Sequence, residues 1–406
     1  MLVSFIIGAC PGCKQPKCFG NVSVGHGTVL RGCLHCQYRY ELCLPEVRKK
    51  VLYLDQFFFS GAFRGGDARF VEAAARVKRA VQLQLLVVPY SSVHEDETLE
   101  WRGYKDLKSA DLMEFIKATS RGAEFERDYQ VERTQIEKAW SAFLRGESSD
   151  FLLDGADAIG GEPDEWDDYY RVDVRGYHKD VELRRDLKRQ SVDMLVNVFD
   201  QWQTSTTTFE QDFNQEVHDA AKNYLDSYFE MIGRVAGGDY GALLDSPIVS
   251  TVLEHMLHWI EDLPAKEQLP RCFAFFKSEH FRNVPDLWIS GHIYATLKAM
   301  VRRGAYANRD EARKRLSGFF QDVRHISLYA PYCDGFFMDQ PMADLVRQPS
   351  VGLQERYGVQ VFNLNNLPAF FSWLDELEQG MSAEHVNGLL RAYPYLEPVV
   401  RSVKVA

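Results

Sequence analysis

The sequence predicts an α/β protein whose mostly parallel sheet is flanked by helices, with a large helical insertion and a small cysteine-rich domain at the N-terminus. Short apolar runs alternate with helical periodicities on both sides of the insertion, which is typical of a parallel sheet. Between them, residues 121–284 have mainly helical patterns. Six of the eight cysteines lie in the first 43 residues, which indicates a local site.

The composition is that of a globular chain. Its 406 residues suggest two or three domains, and 46% of them are hydrophobic, which is enough for a sizeable core. No apolar run reaches the roughly 18 residues that a membrane span needs. The opening residues 1–8 lack a basic leading segment and predict a first strand rather than a signal peptide. We therefore expect a cytoplasmic protein without membrane contact.

The charge is unevenly distributed. The net charge is −11, but seven basic and two acidic side chains give residues 1–50 a charge of +5 and leave −16 for the rest. A basic N-terminal region on an acidic body is compatible with contact to nucleic acid there. An ordinary solvated surface explains the charge equally well.

The N-terminal cysteines form a CxxC…CxxC pattern, Cys10-Pro-Gly-Cys13 and Cys33-Leu-His-Cys36. Two thiolates on one tight turn can face the same ion, and two such turns supply the tetrahedral sulfur set of structural zinc. The glycine-rich segment between the pairs predicts short strands. Together these features predict a zinc ribbon over residues 1–48, which either binds nucleic acid or protein or braces the neighbouring domain.

Other uses of these cysteines fit less well. Disulfides require an oxidising compartment, to which no recognisable signal directs the chain, and a redox CxxC would leave the second pair unexplained. Cys18 and Cys43 are further thiols nearby, and either can replace one of the four chosen ligands.

Two strands and two helices are predicted after the ribbon. Residues 51–57 form an apolar run that suits a buried parallel strand with Asp55 at its carboxyl end. Asp67 is placed to cap a helix that runs to about residue 81. A second strand follows at 83–89, and Ser92 with Glu95 forms a capping-box pattern that starts the next helix.

The middle of the chain predicts helices at about 124–145, 180–203 and 209–235. The acidic stretch 150–173 between the first two predicts a solvated loop. A group of basic residues near the second helix can contact phosphates, although a plain solvated helix face is the favoured alternative: Arg175, Lys179, Arg184, Arg185, Lys188 and Arg189.

Regular structure resumes at Pro285, which opens the last predicted segment, 285–406. Helices are expected at about 286–303 and 309–329, and a short apolar strand lies between Asp334 and Asp339. A final strand at 358–362 precedes a helix that begins near Pro368. With 49–120, this segment would form one α/β domain around the insertion 121–284.

Four acids take similar positions on these elements. Asp55 and Asp339 end strands, Glu97 lies in the first turns of a helix, and Asp322 lies on the helix before the third strand. Ligand sites of parallel sheets lie at the carboxyl ends of the strands. Carboxylates gathered there would repel one another unless a divalent cation neutralised them, and Mg²⁺ or Mn²⁺ prefers such oxygen ligands.

These residues resemble the PIN-domain and PIN-like nucleases. The resemblance is carried by Tyr-Leu-Asp55-Gln, by Ser92-x-His94-x-x-Glu97 and by the segment from Pro331 to Asp339, and it covers about 50–120 and 285–380. It implies a PIN-like fold and a Mg²⁺- or Mn²⁺-dependent nuclease, most often acting on RNA. It also implies that the catalytic, metal-binding acids are Asp55, Glu97, Asp322 and Asp339. Many members of the family are toxins or defence factors, so the resemblance leaves open an inhibitory or regulatory protein partner as well.

Alternatives remain within this assignment. Asp334 competes with Asp322 for the third place, and Glu95 and Glu100 compete with Glu97, although Glu95 is better explained as a helix cap. His94 either contacts the scissile phosphate or is a polar residue in a first helical turn. The substrate can be DNA rather than RNA, and the protein can instead be an inactive PIN-like scaffold whose ribbon binds RNA or protein.

Overall fold

The structure, a computed structural model, describes residues 3–150, 153–167, 181–245 and 247–401, with the backbone alone at 181–188, 244–245 and 247–250. The described residues contain eight strands. They are β1 (Phe5–Gly8), β2 (Phe19–Gly25), β3 (Thr28–Cys33), β4 (Arg39–Cys43), β5 (Lys50–Leu54), β6 (Leu86–Val87), β7 (Gly335–Phe337) and β8 (Gln360–Phe362).

Helices connect and cover the strands. The first ten are α1 (Gln56–Arg64), α2 (Ala68–Gln82), α3 (Ser92–Glu100), α4 (Ser109–Ser120), α5 (Asp128–Arg145), α6 (Val181–Asn197), α7 (Phe199–Thr204), α8 (Phe209–Ala236), α9 (Ala242–Asp245) and α10 (Pro247–His258). The others are α11 (Ala265–Phe276), α12 (Glu279–Arg282), α13 (Pro285–Arg302), α14 (Arg309–Arg315), α15 (Phe319–Tyr329), α16 (Gln340–Val346), α17 (Leu353–Tyr357), α18 (Leu367–Gln379), α19 (Ala383–Ala392) and α20 (Glu397–Val400).

The strands form two sheets of four. The first is antiparallel, in the order β1-β2-β3-β4, and the second is parallel, in the order β6-β5-β7-β8. The α/β class and the parallel sheet are therefore confirmed. Among the described residues, no helix combines the length and the apolar character that a membrane crossing requires.

The parallel sheet is buried on both faces, which is why its strands are continuous apolar runs. In β5, Val51 and Tyr53 pack into one core cluster, while Leu52 and Leu54 pack into another on the opposite face. Leu54 lies beside Phe337 of β7, and Phe337 lies beside Phe362 of β8. The strands are short, but helices cover them on both sides.

The antiparallel sheet packs against the C-terminal helices. Val24 and Val29 share a core cluster with Leu389 and Tyr393. The Asn21 side-chain amide also donates a hydrogen bond of 2.7 Å to the carbonyl oxygen of Ala392. The N-terminal sheet is thus anchored to the last helices of the chain.

The helices of the middle region have a core of their own. Trp140 of α5, Tyr224 of α8 and Phe275 of α11 are buried together in it. Ion pairs connect the helices of this core to α15. Arg324 of α15 contacts Glu132 of α5 at 2.6 Å and Asp286 of α13 at 3.8 Å. Glu132 and Asp286 are buried, so the loss of Arg324 would leave charges without a partner in the protein interior, which is costly.

Several predicted boundaries shift. The strand expected at 83–89 is only β6, the helix expected at 180–203 breaks into α6 and α7, and that expected at 309–329 breaks into α14 and α15. α3 begins at Ser92, but its N-cap is Ser91 rather than Ser92, and His94 rather than Glu95 completes the capping box. Two adjacent serines, Ser91 and Ser92, can each serve as the N-cap, and the packing of the helix selects Ser91.

The acidic stretch 150–173 is not simply a solvated loop. In its described part, Ile159 and Trp166 are buried. Asp167 forms an ion pair with Lys49 at 2.8 Å and a second one with Arg121 at 3.0 Å. Residues 168–173 lie outside the described part, as do Arg175, Lys179 and the side chains of Arg184, Arg185 and Lys188.

We predict that Asp167→Ala lowers the free energy of unfolding by about 3 kcal/mol, because it leaves the buried ammonium group of Lys49 without its carboxylate. Urea unfolding followed by circular dichroism measures this change. Asp226→Ala, which breaks an exposed pair with Lys222, is the matched control and should change the free energy of unfolding much less. Equal effects of the two substitutions would contradict the structural role of Asp167.

Candidate functional site

Four cysteine thiols converge at one end of the antiparallel sheet. The Sγ atoms of Cys10 and Cys36 lie 3.6 Å apart, and those of Cys13 and Cys33 lie 3.7 Å apart. All four ligand atoms lie within 4.8 Å of one another. A tetrahedral zinc–thiolate site with bonds of about 2.3 Å has sulfur–sulfur edges of about 3.8 Å. The four predicted ligands therefore have the spacing to hold a metal ion such as zinc.

Backbone amides donate hydrogen bonds to two of these sulfur atoms. The amide of Gly12 donates to Cys10 Sγ at 3.3 Å, and that of His35 donates to Cys33 Sγ at 3.3 Å. Burial by itself would raise the pKa of Cys33, but hydrogen bonds from backbone N–H groups and from neighbouring thiols outweigh it and lower the pKa to about 6. A backbone hydrogen bond from Tyr38 would instead lower the pKa of Cys36, but burial and hydrogen bonds with the other thiols outweigh it and raise the pKa to about 12. The thiolate is the form that binds metal.

The two other N-terminal cysteines lie outside this group of four. Cys18 is buried, with Sγ 3.5 Å from that of Cys33, and its thiol donates to the Gln15 carbonyl at 3.1 Å. Cys43 ends β4 and is exposed. The four thiols that the CxxC spacing indicated therefore come together, and the two possible replacements lie outside their group.

A second candidate site lies at the carboxyl edge of the parallel sheet. Asp55 follows β5 and caps α1, with Oδ1 accepting from the Gln56 amide at 2.6 Å. Asp339 follows β7 and caps α16, with Oδ1 accepting from the Met342 amide at 3.0 Å. The backbone amide of Asp55 also donates to Phe337 at 2.9 Å. Because β5 and β7 are neighbours, about 4.8 Å apart, the two aspartates lie at the same edge.

Each of the four parallel strands is followed by a helical start that a polar side chain caps. Ser91 serves this role after β6, and Asn363 does so after β8. Asn363 is fully buried and accepts hydrogen bonds from the amides of Asn365 and Asn366. Sequence reasoning missed Asn363, although a polar residue between a short apolar run and Pro368 was the signal. Helix N-termini carry partial positive charge, so this edge favours anionic groups.

Glu97 lies on α3, which is joined to α1 beside the edge. Gln56 donates a side-chain hydrogen bond of 2.9 Å to Thr98, the neighbour of Glu97. Burial raises the pKa of the Tyr53 phenol, and the charges of Asp55 and Glu97 raise it further. Both carboxylates therefore act on the same phenol, and Glu97 itself is half-buried.

Asp322 lies in the first turn of α15 and is half-buried. His325 lies one turn later on the same helix, and its Nδ1 forms a hydrogen bond of 2.7 Å with the Tyr53 hydroxyl. This contact connects the helix of Asp322 to the strand of Asp55. The third predicted acid thus lies on an element that packs directly against β5.

These carboxylates do not form a closed ligand group as the cysteines do. In the part of the chain that the structure describes, the four thiols are the one set of three or more potential metal ligands within 4.8 Å of one another. Burial and the nearby charge of Asp344 raise the pKa of Asp339, against the Met342 amide, which lowers it. The potential ligand atoms of the carboxylate edge therefore lie farther apart than the four sulfur atoms do.

Asp334 does not belong to this edge, which corrects one of the predicted alternatives. Its carboxylate accepts from the Val51 amide at 2.8 Å and pairs with Lys50 at 2.7 Å. It precedes β7 whereas Asp339 follows it, and five residues of extended chain span about 16 Å. Of the alternatives to Glu97, Glu95 is buried and Glu100 is the last residue of α3.

His94 is a structural residue, which corrects its predicted contact with a scissile phosphate. The side chain is fully buried, accepts from the Ser91 amide at 2.9 Å and donates from Nε2 to the Leu54 carbonyl at 2.8 Å. Its ring stacks on that of Tyr53 at 4.9 Å. Both ring nitrogens are thus used by the backbone, and no face is open to a substrate.

We predict that Cys13→Ser reduces bound zinc from about one ion per chain to near zero, because a structural site needs all four thiolates. Atomic emission on the purified protein measures the metal. Cys43→Ser, outside the cluster, is the matched control and should keep its zinc. Full metal content in Cys13→Ser would contradict the assignment.

A pH dependence of stability should follow from His94. Burial lowers its pKa to about 4, against the hydrogen bond to Leu54, which raises it. The unfolded chain, with an ordinary pKa of about 6.5, therefore binds a proton before the native protein does. The contribution to the free energy of unfolding is complete above pH 6.5 and falls by about 3 kcal/mol as the pH drops toward 4.

Urea unfolding of the wild type and of His94→Gln between pH 7 and pH 4.5 tests this dependence. The stability difference between the two proteins should shrink as the pH falls, since only the wild type has the buried imidazole. His258→Gln alters an exposed histidine and serves as the control. A difference that stays constant with pH would contradict the prediction.

Comparison with known proteins adds no assignment to this geometry. No protein-family model matches the chain, and no curated protein or solved structure matches it. The resemblance to PIN-like nucleases therefore stays a prediction that rests on the residues of this chain.

Proposed function

We propose that this protein is a metal-dependent nuclease of the PIN-like kind, which hydrolyses phosphodiester bonds in RNA. One observation supports the proposal above the others: Asp55 and Asp339 follow the carboxyl ends of the two central, adjacent parallel strands. This edge is where parallel α/β sheets bind their ligands.

The residues at the edge suit a hard divalent cation. Mg²⁺ and Mn²⁺ take oxygen ligands, keep several waters and are often held by only one or two carboxylates. Asp55 and Asp339 would hold the ion, and Glu97 and Asp322 would lie on the helices beside it. A bound divalent cation supplies an activated water and offsets charge on the phosphodiester.

The protein's own groups hold these acids in place. The amides of Gln56 and Met342 fix one oxygen each of Asp55 and Asp339, so both carboxylates keep one orientation. The N-terminus of α1 faces the same edge, and its partial positive charge favours a phosphate group. Beneath the edge, the hydroxyl of Tyr53 contacts Ser91 at 3.0 Å and His325 at 2.7 Å, which braces the strand.

We further propose that the cysteine site holds zinc and that residues 1–48 form a zinc ribbon. The thiolate set, its tetrahedral spacing and the amide hydrogen bonds to sulfur all suit this ion. Since the antiparallel sheet packs on the C-terminal helices, the ion would stabilise a docked unit rather than a free-standing one.

A second candidate is a non-catalytic scaffold that binds RNA or protein through the ribbon. It is favoured by a difference between the two sites. The four thiols lie within 4.8 Å of one another, whereas the described carboxylates form no group of three or more within that distance. The scaffold would retain binding without turnover.

We predict that Asp55→Asn and Asp339→Asn each reduce Mn²⁺-dependent cleavage of a labelled RNA by about 100-fold or more, because each removes a charge that the cation requires. Gel electrophoresis of the products measures the rate. Asp375→Asn on the outside of α18 is the matched control and should cleave normally.

Unchanged cleavage by Asp55→Asn would reject the carboxylate edge as the active site. RNA binding by the wild type without any cleavage would support the scaffold instead. A DNA strand of the same sequence, tested in parallel, separates the two possible substrates, because metal–carboxylate chemistry does not itself require the 2′-hydroxyl.

A further inference from the structure

A group of basic and aromatic side chains lies at the C-terminal ends of α1 and α3 and in the turn that follows α3. We refer to it as the basic-aromatic patch, and it consists of Arg64, Trp101, Arg102, Tyr104, Lys105 and Lys108. All four cations are exposed, and both rings are half-exposed. The patch belongs to neither of the two sites described above.

The cations and rings of the patch are interleaved. The Arg64 guanidinium lies 5.8 Å from the ring centre of Trp101 and 5.6 Å from that of Tyr104. The ammonium of Lys105 lies 5.1 Å from the Tyr104 ring. Phe63 supports Trp101 from below, with ring centres 6.0 Å apart. Planar rings between positive charges are the arrangement on which successive nucleobases stack.

The turn that carries Tyr104 and Lys105 has a fixed shape. Tyr104 and Leu107 exchange both backbone hydrogen bonds, at 3.2 and 3.0 Å. Gly103 has φ of 88°, and a Cβ there would come within 2.8 Å of the Leu107 carbonyl oxygen. Lys105 at the tip has φ of 55°, in the left-handed region that non-glycine residues seldom adopt. The tight turn therefore holds Lys105 outward beside the ring of Tyr104.

The four cations of the patch form no ion pair in the part of the chain that the structure describes. Among the described side chains, no carboxylate lies within the 4.0 Å of an ion pair from Arg64, Arg102, Lys105 or Lys108. Basic residues elsewhere on the surface, such as Arg313 and Arg315, do form such pairs. Four open cations in a chain of net charge −11 mark a surface for an anionic partner. A helix dipole would explain Arg64 alone, since it ends α1.

The patch is connected to the carboxylate edge through both of its helices. α1 is capped by Asp55 and ends at Arg64, and α3 carries Glu97 one helical turn, ~5.4 Å along the axis, before Trp101. The hydrogen bond from Gln56 to Thr98 fixes the two helices to each other. A strand lying on the patch is thereby aligned with the row of acids.

We propose that the basic-aromatic patch binds single-stranded nucleic acid, with bases stacked on Trp101 and Tyr104 and phosphates held by the four cations, and leads the strand to the carboxylate edge. The inference rests on the proposed nuclease function and specifies its substrate as unpaired. A duplex would offer phosphates but keep its base faces covered, so the aromatic half of the patch would be unused.

Fluorescence anisotropy with a labelled, unstructured 16-nucleotide RNA tests the proposal. All variants are made in full-length protein carrying Asp55→Asn, so that the probe stays intact. Tyr104→Ala and Trp101→Ala should each weaken binding about tenfold, the loss expected for one stacked base. Arg102→Glu combined with Lys105→Glu should weaken binding more and lower the salt dependence by about two charges.

Lys222→Glu, on exposed α8, is the matched charge control and should leave the affinity unchanged. A duplex of the same sequence should bind more weakly and should not respond to Tyr104→Ala. Unchanged RNA affinity in the patch variants would overturn the inference. So would a protein that binds vesicles containing phosphatidylserine through these residues and has no affinity for the RNA.

The outcomes also separate the patch from the nuclease. If the patch variants lose binding while Asp55→Asn cleaves like the wild type, the patch is supported and the carboxylate edge is rejected. If Asp55→Asn abolishes cleavage while the patch variants bind normally, the active site is supported and the patch is overturned.

Discussion

The pairing of β5 with β7 is the contact on which the rest of the structure depends. It joins two parts of the chain that are far apart, since Val51 and Asp334, linked by a hydrogen bond, are 283 positions apart. Gly335 leaves room for the side chains packed over β7, because a Cβ there would lie 3.1 Å from the Phe362 ring and 3.2 Å from the Leu52 side chain. This pairing divides the core into two faces and brings Asp55 and Asp339 to one edge.

A buried polar group reinforces this pairing from beneath. The Tyr53 hydroxyl contacts Ser91 at the start of α3 and His325 on α15, and its ring stacks on His94. His94 is three residues before Glu97, and His325 is three residues after Asp322, so one phenol fixes both acid-bearing helices against β5. Because polar groups inside a core are costly unless satisfied, such a network specifies one arrangement of its helices.

The cysteine cluster and the basic-aromatic patch are also positioned by elements that pack in the core. The cysteine cluster is built on a sheet that packs against the last helices of the chain, so its ion would brace the whole fold. The patch lies at the far ends of the helices that start at the carboxyl edge. In both cases a sheet or helix that packs in the core also holds the side chains of a candidate binding surface.

Local features were decided by the sequence itself. The CxxC spacing selected the four thiols that come together, the apolar run before Asp55 became β5, and Asp67 caps α2 as its position predicted. Such features depend on residues within a few positions of one another, through turn chemistry and hydrophobic period. They account for the α/β class and for Asp55 and Asp339 as strand-end residues.

Only the tertiary structure decided which ends and faces meet. Asp334 competed with Asp322 for a place in the site, until the direction of β7 placed Asp334 at the edge opposite to Asp339. His94 had the spacing of a site residue, yet packing buried it against Tyr53 and used both of its nitrogens. Strand order and burial arise from long-range packing, in which a residue's environment depends on partners hundreds of positions away. A local sequence pattern does not identify those partners.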